Sequence, residues 1–508
     1  MEESNVQSTH SLPGIMASIE SMANRLPHPF IMFFILYIAT IVLSAILSAV
    51  IRPVVHPATE QIVAIRSLLS WEGVNYLVTH TVSNFTGFRP LGVVIVLMLS
   101  LGLIKQTGLA EATIKRMLSR VSARWITPAV VITSIMGNLV SDAAVFLIPP
   151  LAALMFKTVG RNPLVGIIVS FVSIFAGFTA NVFIAGTDLL LSGISTEVVQ
   201  GIRPDYEVSV LANWFFMCAS VPFITFIITV ITNKFTEPKM KQLSYEGDGS
   251  HNSDPISVEL TEIERRALRK TGLVALGFIA IVAMLVLPES SGLRNASGGL
   301  LPSPFMKGLV PILMLFFTLC GITYGVCIGS IKHASDIPAL MGAAIRDMSG
   351  FIVIVFMVAQ FIAVFNWSNL AIVGAVNGAE WLMNIHMPAL VALGCFILLA
   401  AVINLFIYSG SAQWALMAPI FLPMLMLMGL EPEAIQAAYR IADSSTNVIS
   451  PINPYLPLIL TFIHTYNPRF TIGNLLTAAL PYSVAILSGW MLLYFAWYGV
   501  GLPFGIYS

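Results

Sequence analysis

Charge is what this 508-residue chain has least of. Asp, Glu, Lys and Arg make up 10% of it, against roughly 25% in soluble globular domains, while 57% of its residues are hydrophobic. A soluble fold cannot hide that much apolar surface, so the chain reads as an all-α polytopic membrane protein. The 25 basic and 25 acidic residues cancel, and nothing in that balance points to nucleic acid as a partner. Cysteine is scarce too. Cys218, Cys320, Cys327 and Cys395 all sit in apolar runs, with neither a disulfide framework nor a metal-site spacing. The eight histidines are scattered, with no HExxH or paired spacing, so a zinc enzyme has no support. No nucleophile–base pair is visible either, which ranks an intramembrane enzyme last, and no filter-like repeat favours a channel. Residues 1–27 are polar and the first apolar run is long enough to span, so no cleavable signal peptide is expected.

Apolar runs are what the chain has in abundance. Residues 29–52, 207–232, 271–288, 305–330, 350–367 and 472–500 read as spans. A further one, ending at residue 104, is expected to break near Thr86-Gly87-Phe88-Arg89-Pro90. Two runs carry polar centres. Residues 126–156 hold Gly137-Asn138-Leu139-Val140-Ser141-Asp142, and residues 388–428 hold Tyr408-Ser409-Gly410-Ser411. As hairpins that enter and return on one side, each has arms of about 15 residues, half a bilayer at ~1.5 Å per residue. The runs 163–190 and 432–465 are interrupted, the first at Thr179-Ala180-Asn181 and Gly186-Thr187-Asp188. Cytoplasmic loops are enriched in Lys and Arg. With both hairpins re-entrant, nine spans remain, and the N-terminus, 105–125, 157–162 and the polar linker 233–270 all fall inside, with the C-terminus outside. If the two runs cross instead, 157–162 moves outside and the charge bias is satisfied less well.

The chain also repeats itself. Phe85-Thr-Gly-Phe88 echoes Met348-Ser-Gly-Phe351, Gly160-x-x-Pro163 echoes Gly429-x-x-Pro432, and Thr179-Ala-Asn181-Val182 echoes Ser445-Thr-Asn447-Val448. Ser141 precedes Pro149 as Ser411 precedes Pro419, and every echo lies about 265 residues on. The division is a first repeat over 1–232, the linker 233–270, and a second repeat over 271–508. The topology inverts one repeat relative to the other. Inverted repeats with paired broken helices are the mark of secondary transporters, whose sites lie near the midplane between the halves.

The polar groups at that depth each read in more than one way. Asp443 and Asn447 share a helix face, with Arg440 one turn earlier. They form either a buried ion pair that fixes packing, or a set of oxygens for a cation, with Asp443 alternatively a proton carrier. Asn404 and the carbonyls of 408–410 complete an oxygen shell of the kind hard cations such as Na⁺ prefer. Asp188 has no basic neighbour in its own run. It sits either at a watered rim or, just past the unwound Asn181 segment, in the cavity, where an unpaired carboxylate suits proton transfer. Asp142 caps a helix at the first hairpin tip, faces the cavity, or both. Trp414 is an interfacial anchor or a platform for an aromatic ligand. The prolines 432 and 451, with their neighbours, shape breaks.

NFTGFRPLG (84–92), SDAAVFLIPPLAAL (141–154), GFTANVFIAGTDLLLSGISTE (177–197), FNWSN (365–369), SGSAQWALMAPIFLPM (409–424) and RIADSSTNVISP (440–451) together resemble the p-aminobenzoyl-glutamate transporter family over nearly the full length. The resemblance implies a bowl-shaped homodimer of nine-span protomers with two re-entrant hairpins, in a bacterial inner membrane. It implies a Na⁺ site at Asn404, the Tyr408 backbone, Asp443 and Asn447, and a substrate path at Asp188, Ser411, Trp414, Pro432, Arg440, Asp443 and Pro451, beside Asn181. Many relatives have a small residue where Tyr408 stands, which leaves the carbonyl and adds bulk. Two activities follow from the family. One is uptake of p-aminobenzoyl-glutamate, a folate breakdown product; the other is proton-driven export of sulfonamide antimetabolites. Its ring suits Trp414 and its carboxylates suit Arg440. Trp414, Arg440 and Asp443 have no equivalents at the matching first-half positions, so ligand and ion are expected to lean toward the second repeat. Direction, and Na⁺ against H⁺, stay open at this point.

Overall fold

The fold is that of a computed structural model, which describes residues 27–55, 61–118, 121–140, 143–241, 260–295, 298–299 and 303–506. Ser141 and Asp142 at the expected hairpin tip, and 242–259 of the expected linker, lie outside the described residues. What is described is nearly all helix. The one sheet among these residues is a two-stranded hairpin pairing Val54 with Val63 and Val55 with Ile62.

The first half runs α1 (Pro29–Val50), α2 (Trp71–Thr86), α3 (Arg89–Thr107), α4 (Leu109–Leu118), α5 (Ile126–Gly137), α6 (Ala143–Thr158), α7 (Pro163–Ala176), α8 (Gly186–Val199) and α9 (Trp214–Ile231). A π turn over Thr232–Thr236 carries α9 into α10 (Glu237–Lys241). The second half runs α11 (Glu262–Val286), α12 (Pro304–Lys307), α13 (Leu309–Ile328), α14 (Asp336–Asp347), α15 (Ser349–Trp367), α16 (Leu370–Asn384), α17 (Ala389–Asn404), α18 (Gly410–Leu427), α19 (Pro432–Asn447), α20 (Leu456–His464) and α21 (Ile472–Gly499). The order α3 to α9 thus recurs as α15 to α21. The halves interlock: α1 packs on α15, α13 packs on α3, and α7 packs on α19.

Local chemistry explains the recurring corners. Gly160 and Gly429 both take left-handed backbone, at φ +73° and +88°. After Gly160 the Arg161 N–H returns to the Phe156 carbonyl at 2.8 Å, and after Gly429 the Leu430 N–H returns to the Leu425 carbonyl at 3.2 Å. Each is a glycine stop that satisfies the last carbonyls of a helix. Three residues after each glycine, Pro163 and Pro432 open the next helix, where a missing N–H costs nothing. The Gly-x-x-Pro echo is therefore one corner built twice.

Among the described residues, eight helices are long and apolar enough to cross a membrane, or nine if α16 and α17, bent by 119° at their junction, count as one. That set differs from the expected spans. It includes α18 and leaves out α7 with α8 and α19 with α20, because the backbone breaks over 177–185 and 448–455 leave each half too short. Three boundaries also move. Gly186-Thr187-Asp188 is not an interruption but the first turn of α8, which runs past residue 190 to Val199. The linker is shorter than 233–270: α10 reaches Lys241, and α11 begins at Glu262, where Thr261 and Glu264 cap each other's N–H groups. And α16 was not among the expected spans.

Candidate functional site

Two helices lie wholly inside the protein. All 14 residues of α7 and all 16 of α19 are buried. For α7 this follows from its composition. For α19 it does not, because Glu433, Gln436, Tyr439, Arg440, Asp443, Ser444, Ser445, Thr446 and Asn447 all lie on it. Buried polar groups need partners, and those of Glu433, Gln436, Arg440 and Ser444 come from the first half.

They form an antiparallel polar ladder. At one end the Thr179 hydroxyl, in the break after α7, meets the Ser444 hydroxyl at 2.6 Å, and the Thr179 N–H donates to the same oxygen at 3.1 Å. Next, the Arg440 guanidinium donates to Asp188 Oδ1 at 2.5 Å, with side chains 1% and 11% exposed. One step on, Gln436 Nε2 donates to Ser195 Oγ at 2.8 Å. At the far end the Tyr206 hydroxyl donates to Glu433 Oε1 at 2.6 Å, and Asn213 Nδ2 donates to the Glu433 carbonyl at 2.8 Å. Burial and the Glu433 carboxylate raise Tyr206 far above the ordinary phenol range, so it remains a donor.

The ladder settles the pairing of the charges. Arg440 bonds Asp188 across the two halves rather than Asp443 one turn along its own helix. Asp188 is therefore not the unpaired carboxylate expected; its other oxygen accepts the Ala185 N–H at 2.7 Å and so starts α8. The sequence hides this pair because its members lie 252 positions apart. The Arg440 Nε has no partner.

Trp414 is fully buried rather than interfacial. Its indole N–H donates to Ser195 Oγ at 3.1 Å, and its ring lies 4.6 Å from that of Tyr439. The Tyr439 hydroxyl donates in turn to the Gly410 carbonyl at 2.5 Å. Gly410 opens α18 directly against Asp443: a Cβ there would stand 2.7 Å from Asp443 Oδ1 and 2.8 Å from Oδ2. Only glycine lets the helix start approach the carboxylate this closely.

Asn404, at the end of α17, closes the other side. Its Nδ2 shares two N–H groups among the Asp443 carbonyl at 2.7 Å, Thr446 Oγ1 at 2.9 Å and Asn447 Oδ1 at 3.1 Å. Asn404 Oδ1, Asp443 Oδ1 and the nearby Gln413 Oε1 are buried with no donor. Oxygens without donors suit a cation. No cluster of three His, Cys, Asp or Glu occurs among the described residues. Tyr408 lies in the short break between α17 and α18, with its ring 6.4 Å from Phe175. Ser411 is half-buried in the first turn of α18, Pro432 opens α19, Pro451 lies in the break after it, and Asn181, 4% exposed, lies in the matching break after α7. Asn181, Asp188, Trp414, Arg440, Asp443, Asn404 and Asn447 thus come to one buried region, while Pro432 stands at the far end of α19.

A sequence model of the AbgT putative transporter family matches residues 14–508. The chain belongs to this family. An AbgT-family relative, the p-aminobenzoyl-glutamate transport protein of Escherichia coli K12, is 40% identical over 506 residues, covering 99% of this chain and 98% of its own. Among solved structures, the YdaH transporter of Alcanivorax borkumensis, whose topology is described as unusual, superposes with a TM-score of 0.89 at 40% identity, over 94% of this chain and all of its own. MtrF of Neisseria gonorrhoeae, described with a class of antimetabolite efflux pumps, gives 0.90 at 37% identity, over 95% and 97%. These relatives are transporters, not enzymes. Residue-type reasoning alone passes over several members of this site. Ser195 is an unremarkable hydroxyl in an apolar run, Thr179 stands out only as part of an interruption, and Gln436 and Gln413 are uncharged. A signal was present in the spacing: Gln436, Arg440 and Asp443 lie along one face of a helix too polar to bury alone.

Proposed function

We propose that the protein is a secondary active transporter of p-aminobenzoyl-glutamate, coupled to a Na⁺ or H⁺ gradient across a bacterial inner membrane. The observation that carries this reading is 40% identity, over 99% of the chain, to the E. coli p-aminobenzoyl-glutamate transport protein. The site's chemistry supports it. The unpartnered Nε leaves Arg440 one N–H for a glutamate carboxylate, and a second carboxylate oxygen competes with Asp188 for the rest of the guanidinium. Trp414 offers a ring face to the aminobenzoyl group once α8 and α18 separate, since it is closed off in this conformation. Ser411, Pro432, Pro451 and Asn181 shape the path.

In this reading the cation is cargo, held by Asn404 Oδ1, the Tyr408 carbonyl, Asp443 and Asn447. Asn447 Oδ1 already accepts from Asn404, and its second lone pair remains for the ion. The helix pairs α5–α6 and α17–α18 are the re-entrant hairpins, nine spans complete each protomer of a homodimer, and the N-terminus is cytoplasmic. The recurrence of α3–α9 as α15–α21, with matching corners, supports inverted repeats.

A second reading, proton-driven efflux of sulfonamide antimetabolites, is favoured by the likeness to MtrF. Proteoliposomes loaded in parallel with p-aminobenzoyl-glutamate and a sulfonamide, under imposed Na⁺ or H⁺ gradients, test both. Gradient-dependent flux of the first with Na⁺ is expected; flux indifferent to both gradients would refute coupling. Asp443→Ala is expected to abolish coupled transport and Trp414→Ala to weaken substrate affinity chiefly, and wild-type transport by the Asp443 variant would refute the ion site.

A further inference from the structure

Four side-chain amide or carboxylate oxygens among the described residues are buried without a donor: Asn213 Oδ1, Asn404 Oδ1, Gln413 Oε1 and Asp443 Oδ1. Three of the four belong to one closed circuit of contacts at the α17–α18 junction. Asn404 Nδ2 binds the Asp443 carbonyl. The Asp443 carboxylate lies against Gly410. Gly410 and Gln413 are three apart on α18, hence on one face. Gln413 Nε2 donates to the Ala400 carbonyl at 2.7 Å, and Ala400 is one turn before Asn404 on α17.

The orientation of both amides is dictated by their partners. A backbone carbonyl only accepts, so the nitrogen of Gln413 must face Ala400, and that of Asn404 must face Asp443. Their oxygens are left over. Gln413 is fully buried, and an amide oxygen there without a donor is destabilising unless something electropositive meets it. Asp443 has the same need more strongly, because the one buried cation nearby, Arg440, is bonded to Asp188.

We propose that Gln413 Oε1 is a further ligand of the cation site, joining Asn404 and Asp443 from the α18 arm. The inference rests on the cation reading above. It gives α18 a direct grip on the ion: cation binding draws α18 toward α17 and α19 through one amide whose other end is fixed to Ala400. A neutral oxygen ligand adds coordination without adding charge, which matches a site with one carboxylate to a monovalent ion.

The test is the Na⁺-dependent rise in unfolding temperature of the detergent-purified full chain, with choline at equal ionic strength as control. Gln413→Leu removes oxygen and nitrogen together, and the Na⁺ midpoint is expected to weaken by at least about tenfold. Gln413→Glu keeps an oxygen at the same reach but has no N–H for the Ala400 carbonyl, and is expected to stay within about threefold of wild type. Equal weakening in both variants would mean that the amide only ties α18 to α17, and would overturn the proposal. So would an unchanged midpoint in Gln413→Leu. If that variant does not fold, the Gln413→Glu midpoint decides alone: near wild type it supports the ligand role, far from it the role is lost. A wild-type chain with no Na⁺-specific rise would instead remove the cation reading itself.

Discussion

Helices α7 and α19 hold matching places in the two halves and solve burial in opposite ways. Both open with proline after a left-handed glycine, and both are buried from end to end. In α7 the polar residues are Ser170 and Ser173, whose hydroxyls return to the carbonyls of Ile167 and Val169 in the same helix. In α19 nearly every turn depends on another element. The junctions nearby make the point at atomic scale. Asn138 Nδ2 donates to the Ile174 carbonyl at 3.0 Å in the first half, as Asn404 Nδ2 donates to the Asp443 carbonyl at 2.7 Å in the second. The same side-chain-to-backbone bond is made twice, but only the second carbonyl belongs to a residue whose side chain is a carboxylate. One frame therefore carries a structural helix and a chemical one. The polar ladder between the halves runs through the chemical one, since its partners Thr179, Asp188 and Ser195 come from the segment that follows α7.

If that contrast is right, substitutions on α19 should separate function from stability and those on α7 should not. Removing Arg440 leaves the Asp188 carboxylate buried without its partner. Arg440→Ala is expected to lower stability by about 3–5 kcal/mol and to stop transport. The double variant Asp188→Asn/Arg440→Gln should recover much of the stability and none of the transport, by thermal unfolding and proteoliposome flux. On α7, Ile168→Ala should cost about 2–4 kcal/mol through the cavity left, with KM for p-aminobenzoyl-glutamate unchanged; a tenfold rise in KM would break the comparison. The corners should respond alike. Gly160→Ala and Gly429→Ala each force a side chain into left-handed backbone and should each lose about 1–2 kcal/mol by unfolding melts, within error of one another. Trp414→Phe keeps an aromatic ring and drops the N–H to Ser195, and should lose about 1 kcal/mol of stability by unfolding melts.

Much of the architecture was legible because its signals are local. Apolar runs mark α1, α9, α13, α15 and α21, and the Gly-x-x-Pro corner names itself through backbone needs that few other residues meet. Helix α16 escaped because Asn377, Gly378 and Glu380 dilute its apolar face. Asp188, Arg440, Asp443, the asparagines and Trp414 stand out one by one from their rarity at membrane depth. Their pairing does not, because Arg440 has Asp443 one turn away in sequence and Asp188 only in space. The echo of Thr179-x-Asn181 in Ser445-x-Asn447 misled in one respect. The first lies in a break, whereas the second is still the last turn of α19.

By itself, then, the sequence determined a polytopic helical membrane protein of two matching halves, a polar second half, and membership of a transporter family. Composition, periodicity and turn chemistry act over a few residues and need no knowledge of the fold. Only the tertiary structure decided that Arg440 answers Asp188, that Ser195 holds Trp414 and Gln436, and that Asn404, Gln413 and Asp443 share a junction with oxygens to spare. Hydrogen bonds and ion pairs act over about 3 Å, and which atoms come that close is set by how the two halves pack, not by their order along the chain.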